Sequence, residues 1–377
     1  MRIAFLFFAE AYQTYHGAAV AFELMRRPGV TVDIFYNMPD TARHLERLAR
    51  AHDVTPFDLV PLHRGRWARF VQKLRIFGLA KAQVLRGNEK RLESYDAVVA
   101  MEDGAEILFG DRAEGDRPAR ILIVHGAGDR MVPSMPRRRR FDLLLCQGPK
   151  MAHRFLDMGV ARAGHVAAPG YPKFDSSRLL SGDVRSLFQE QRPIILYNPH
   201  KVPRLGSWPR FIEPMLTAFA RQDQFNLIVA PHVKMFLRRS ERLRRRWRAR
   251  SSGDILIDPG SDRSVDNSYT DAADIYVGDV SSQVYEFLAR PRPCVFLNAA
   301  RIDWRDDRHF LFWHLGDVVD DPADLMTAIR AAPSRHHLYI DRQRELAAQS
   351  LGDTTPGAAA RAANLILDYL AKGRVPL

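Results

Sequence analysis

Cysteine is nearly absent: 377 residues contain two, Cys146 and Cys294. Each sits in an apolar run, Leu143-Leu144-Leu145-Cys146 and Cys294-Val295-Phe296-Leu297, and reads as a small buried core residue. No CxxC and no Cys/His spacing points to a metal site. Two thiols in so long a chain fit a reducing compartment. Also missing is any run of about 18 apolar residues, which excludes a membrane-spanning helix. The apolar start Ile3–Ala9 stops at Glu10 with no small-residue cleavage site behind it, so it reads as a first buried strand and not as a leader. There is no GxxxxGK(S/T) loop, no GxGxxG, no low-complexity segment and no short repeat. These absences predict a cytoplasmic protein without a resident metal or organic cofactor.

What is abundant is positive charge. Lys and Arg number 56 against 44 Asp and Glu, a formal net charge of +12. Such an excess speaks to partners, not to fold. Nucleic acid, an anionic membrane surface and phosphorylated substrates are the classes it admits.

At roughly 100–200 residues per domain, the length predicts two domains. Short apolar runs alternate with helical stretches from the start. Ile3–Phe8, Thr31–Tyr36, Asp96–Met101, Arg120–Val124 and Asp142–Cys146 read as strands. Gly17–Arg27, Ala42–His52, Trp67–Leu92 and Lys150–Met158 read as helices. A polar stretch at Phe174–Arg192 marks a boundary, and the pattern restarts. Strands are expected at Ile194–Tyr197, Asn226–Ala230, Asp254–Ile257, Ile275–Gly278 and Cys294–Leu297. Helices are expected at Trp208–Arg221, Lys234–Arg250, Ser268–Ala273 and Gln283–Ala289. The predicted fold class is α/β, with two Rossmann-like domains of parallel sheet. The domains run over 1–178 and 190–350, and a last helix within 351–377 (Ala358–Lys372) is expected to cross back onto the first domain.

In such sheets ligands bind beyond the carboxyl ends of the strands. Ile121-Leu122-Ile123-Val124 runs straight into His125-Gly126-Ala127-Gly128-Asp129. A histidine there can accept a proton from an attacking hydroxyl, and Gly126, Gly128 and Asp129 form a loop that lets backbone approach a ligand. The same residues also suit a plain turn. Two further strand ends carry histidines, Asn198-Pro199-His200-Lys201 and Ala230-Pro231-His232. A fourth runs Gly278-Asp279-Val280-Ser281-Ser282 into a helix that bears Glu286. Serines at a helix start suit an anion, or simple capping; Glu286 suits a ribose or alcohol, or solvent.

These pieces together resemble the CDP-glycerol glycerophosphotransferases, the teichoic-acid-type polymerases of GT-B fold. The matching residues are His125-Gly126, Gly170-Tyr171-Pro172-Lys173-Phe174-Asp175, Ala230-Pro231-His232, and Asp274-Ile275 through Asp279-Val280-Ser281-Ser282 to Glu286-Phe287 and Arg292-Pro293. The similarity covers roughly residues 120–300. It implies two domains facing a central cleft and a nucleotide-linked donor such as CDP-glycerol. It implies a glycan or lipid-linked acceptor of the cell envelope, with His125 as general base. Donor contacts would come from His232, Ser281, Ser282 and Glu286, with no bound metal required; Asn198 and Lys201, at a strand end where the family's segment reads differently, are further donor-site candidates. The sequence departs from the family at Ala127, where threonine is usual, and at Val280, where tyrosine is usual. Both flank the donor pocket and open the identity of the donor. UDP-GlcNAc 2-epimerases share this fold and a similar Gly-x-Pro segment, and form the rival expectation. A non-catalytic basic membrane- or RNA-binding protein is the third.

Two basic segments stand out, Arg137–Arg140 and Arg238–Arg250. The second lies in the expected Lys234–Arg250 helix, where Phe236, Leu243 and Trp247 are expected on one face, an arrangement suited to the anionic inner face of the cytoplasmic membrane. Aromatics do not interleave as base-stacking platforms, so nucleic acid is not the expected partner.

Overall fold

A computed structural model describes residues 1–54, 57–67, 77–128, 134–202 and 204–376. It divides into two compact units. The first comprises Met1–His125, Val132–Leu179 and Gln349–Leu377, and the second Gly126–Met131 and Leu180–Ala348.

Unit 1 is built on seven parallel strands in the order β3-β2-β1-β4-β5-β6-β7. They are β1 (Arg2–Phe7), β2 (Thr31–Tyr36), β3 (Leu59–Pro61), β4 (Ala97–Ala100), β5 (Ala119–Ile123), β6 (Leu143–Leu145) and β7 (Val166–Ala167). The central strands are apolar without alternation because helices cover both faces. All four residues of β4 are buried. The helices are α1 (Thr14–Met25), α2 (Pro39–Ala51), α3 (Phe77–Leu92), α4 (Pro149–Asp157) and α5 (Lys173–Leu180). Residues 68–76 of the expected Trp67–Leu92 helix lie outside the described residues.

Unit 2 repeats the topology with β10-β9-β8-β11-β12-β13, again all parallel. Its strands are β8 (Ile194–Asn198), β9 (Asn226–Val229), β10 (Ile255–Ile257), β11 (Ile275–Gly278), β12 (Cys294–Leu297) and β13 (Asp317–Val319). Its helices are α6 (Trp208–Phe219), α7 (Glu241–Arg248), α8 (Ser268–Ala272), α9 (Gln283–Phe287) and α10 (Leu325–Arg335). Within α11 (Ile340–Leu351) the chain passes back to unit 1. There α12 (Ala358–Lys372) packs on α1, and Arg27 donates to Asn364 at 2.9 Å. Asp175 fixes the start of α12 by accepting from the backbone N–H of Gly357 (2.9 Å) and Ala359 (2.7 Å). The Gly170–Asp175 segment thus serves as a clasp for the last helix.

In both sheets the first and fourth strands of the unit are neighbours, β1 with β4 and β8 with β11. The crossovers run outward in opposite directions from there, which opens a crevice at the carboxyl ends.

The structure corrects the expected helix at Lys234–Arg250. The chain makes a 3-10 turn at Val233–Met235 and starts α7 only after Ser240, whose hydroxyl accepts from Leu243 N–H at 3.3 Å. The aromatic face is committed inward. Trp247 stands edge-on to Trp208 of α6 with ring centroids 4.8 Å apart, and Phe236 lies 5.8 Å from the same Trp208 ring. Among the described residues no helix is long and apolar enough to cross a membrane.

Candidate active site

In unit 1 the site grows from the ends of β1, β4 and β5. Val124 continues β5, held by a hydrogen bond from the buried Gln147 amide to its carbonyl. His125 follows, half-buried, and its Nδ1 donates to the carbonyl of Met101, one residue past β4, at 2.7 Å. A carbonyl can only accept, so the neutral ring carries its proton on Nδ1 and presents Nε2 as a base.

The ring has aromatic and basic neighbours that the sequence reading passed over. Tyr12 and His16 lie 6.3 and 5.9 Å from His125 between ring centroids, and His16 lies 5.4 Å from Tyr171. His16 is buried, and its Nδ1 has no hydrogen-bond partner. Burial, then the charges of Lys173 and His125, holds its pKa well below the usual histidine range. Beside it, Gln13 donates to Glu102 at 2.6 Å, and Lys81 Nζ lies 3.1 Å from Glu10 and 3.9 Å from Glu102. The signal for this group was present: β1 ends directly in Ala9-Glu10-Ala11-Tyr12-Gln13-Thr14-Tyr15-His16. The sequence reading begins the first helix at Gly17 and gives these residues no element, whereas α1 starts at Thr14.

Unit 2 has its own polar centre. Asp279, one residue past β11 and 1% exposed, accepts from His200 N–H (2.8 Å), Ser207 N–H (2.6 Å), the Ser207 hydroxyl (2.8 Å) and Val280 N–H (2.5 Å). These bonds favour its charge, yet burial outweighs them and raises its pKa. Asp279 therefore pins the His200 loop across the β8/β11 crevice. Asn198 does similar work: it donates to the Ala230 carbonyl at 2.6 Å and accepts from the Tyr276 hydroxyl at 3.2 Å. The ring of His200 stands edge-on to His232, centroids 4.9 Å apart and planes at 78°. Burial, then the charges of His200, Lys234 and Lys201, pulls the His232 pKa well down. Its Nδ1 accepts from Lys234 N–H at 3.2 Å, so Nε2 carries the proton of the neutral ring. Lys201 is exposed on the same loop.

Ser281 is buried and accepts weakly from Gln283 N–H at 3.4 Å. Ser282 is partly exposed and stands at the N-cap of α9 without a side-chain cap bond. Glu286 is buried in α9. Gly126 has φ +79°, a left-handed conformation, and at Gly128 a Cβ would stand 3.0 Å from the Ser282 Cβ. Asp129 lies outside the described residues.

No family model matches the chain, and no curated protein matches it. Solved structures do. A Staphylococcus aureus MnaA structure with UDP aligns with TM-score 0.67 and 13% identity, over 98% of this chain and 97% of that one. The chain has a GT-B fold. A UDP-GlcNAc 2-epimerase from Neisseria meningitidis bound to UDP-GlcNAc aligns with TM-score 0.61 and 12% identity, over 99% of this chain and 100% of that one. The wall teichoic acid polymerase TagF, soaked with CDPG, aligns with TM-score 0.65 and 14% identity, over 99% of this chain and 89% of that one.

Proposed function

We propose that the chain is a nucleotide-dependent transferase. It moves a glycerol-phosphate-type group or a sugar from a nucleotide-diphosphate donor to a hydroxyl of a cell-surface glycan or lipid-linked precursor. The observation that carries this reading is the hydrogen bond from His125 Nδ1 to the Met101 carbonyl, which turns Nε2 into a proton acceptor. In the proposed reaction Nε2 takes the proton of the acceptor hydroxyl, and the oxygen attacks the donor. With a CDP-glycerol-like donor the new bond is to phosphorus and CMP leaves; with a nucleotide sugar it is to the anomeric carbon and the nucleoside diphosphate leaves.

Unit 2 would hold the donor. His232 offers Nε2–H, Ser282 a hydroxyl and Lys201 a cation toward the leaving phosphate, while Glu286 would take the ribose or alcohol. Neutralisation by fixed donors needs no organic cofactor or metal in this scheme. The setting we infer is the inner face of the cytoplasmic membrane, where a lipid-linked acceptor is presented.

A second reading, a UDP-GlcNAc 2-epimerase-like enzyme, rests on a different observation. The Glu10–Lys81–Glu102 group at the β1/β4 crevice offers carboxylates able to remove and return a proton on carbon.

One experiment separates the two. A thermal-shift panel of CMP, CDP, UDP and GDP names the base, and CDP-glycerol and UDP-GlcNAc are then incubated without acceptor. Conversion of UDP-GlcNAc to its epimer without acceptor overturns the transferase reading. Nucleotide release that requires an added hydroxyl acceptor supports it. No shift with any nucleotide overturns both.

A further inference from the structure

Unit 1 holds a second concavity of about 530 Å³ whose lining belongs to no part of the site above. It is lined by Arg86, Arg137, Arg139 and Arg140, with Glu106 and Ile107 among the remaining residues. Arg86 comes from α3, Glu106 and Ile107 from the turn after β4, and the other arginines from the 3-10 turn Met135–Arg140 that precedes β6. His125 follows the carboxyl end of β5, whereas this lining leads into the amino ends of β5 and β6.

The four-arginine run does not act as one surface patch. Arg138 is drawn inward, its Nε 2.8 Å from Asp103 and its guanidinium over the Phe155 ring. That anchor turns its neighbours outward. Arg139 is steered by the carbonyls of Gly159 (3.0 Å) and Met158 (3.2 Å), which take hydrogen bonds without cancelling its charge. Arg140 is the neutralised one, 2.8 Å from Asp111 and 3.5 Å from Glu106. Arg86 and Arg137 form no ion pair among the described residues. Three guanidiniums in one concavity therefore keep uncompensated charge. Their mutual repulsion is relieved by an anion, and the planar fork of arginine fits phosphate oxygens two at a time. The volume exceeds that of a bare oxyanion and falls in the range of small-molecule sites.

We propose that this concavity binds a pyrophosphate or phosphomonoester group carried by a larger molecule. The two sources of that chemistry are a free phosphorylated metabolite and a lipid headgroup.

The test is calorimetric titration of the full chain with inorganic pyrophosphate. Three proteins are compared: native, Arg86→Gln with Arg137→Gln, and Arg245→Gln with Arg246→Gln. Each double variant loses two exposed charges, so a merely basic protein weakens equally in both. The expected result is a loss of about tenfold or more in affinity for the first pair and under about twofold for the second. Equal losses in the two pairs, or no loss in the first pair, would each overturn the proposal. Sedimentation with phosphatidic acid vesicles, but not phosphatidylcholine vesicles, assigns a lipid headgroup if it disappears in Arg86→Gln/Arg137→Gln. Retained pyrophosphate binding without such sedimentation assigns a free phosphorylated molecule.

Discussion

The Nδ1 of His125 donates to the carbonyl of Met101 across 2.7 Å, and this bond decides which nitrogen of the ring is basic. The acceptor is backbone, so no substitution at position 101 removes it. His125→Asn keeps a donor for that carbonyl and deletes Nε2. Turnover is expected to fall by roughly 10²–10⁴, with nucleotide affinity and melting temperature within error of the native protein. A variant that loses nucleotide affinity but turns over normally once saturated would take the base role away from His125.

His16 and His232 both titrate below their ordinary value of 6.5, burial being the larger cause in each. The sign follows from proton counting. Below pH 6.5 the unfolded chain binds protons at these positions that the folded chain refuses. Stability therefore rises with pH from the folded pKa values up to 6.5 and is fully present above it. Denaturant midpoints are expected to hold steady near pH 7–8 and to fall on acidification below about 6.5, with His16→Gln flattening the fall. An unchanged acid slope in that variant would refute the assignment to His16.

Asp279 accepts four hydrogen bonds while almost fully buried. Asp279→Ala orphans those donors at a cost of about 1–3 kcal/mol for each left unsatisfied. The loss is read from chemical denaturation. Because His200 hangs from this carboxylate, donor affinity should fall along with stability. Full stability in Asp279→Ala would contradict the network.

Trp247 packs edge-on against Trp208 and leaves only part of its ring accessible. Trp247→Ala is expected to cost roughly 2–3 kcal/mol, less than a fully buried aromatic because the ring is only partly covered. Vesicle association should be unaffected. A loss of vesicle binding at native stability would restore the membrane-facing reading of the Arg238–Arg250 segment.

Gly170 has φ +95°, and a Cβ there would meet the Asp353 carbonyl. Gly170→Ala should lower the melting temperature through the clasp on α12 and leave nucleotide affinity intact. Equal melting would show that the clasp carries no stability.

The strands Ile275–Gly278 and Cys294–Leu297 and the helix Ala358–Lys372 were legible to the residue, because each is a full apolar or amphipathic period bounded by breakers. The edge strands Leu59–Pro61, Val166–Ala167 and Asp317–Val319 were not. Two or three residues carry no period, and they are strands only because a neighbouring strand pairs with them. The Lys234–Arg250 stretch misled for the opposite reason: its composition is helical throughout, but the Ser240 cap and the pull of Trp208 divide it.

By itself the sequence determined the two α/β halves and the polar residues at the ends of β5, β8, β9 and β11, since local period and abrupt polarity are written in consecutive residues. Only the tertiary structure decided what those residues meet. It set the His125 ring against a carbonyl 24 positions earlier and beside His16, 109 positions earlier by numbering. It turned Arg138 inward and left Arg86 and Arg137 in one concavity. Tautomer, burial and charge balance are properties of neighbours in space, and strand order, which a linear pattern does not encode, selects those neighbours.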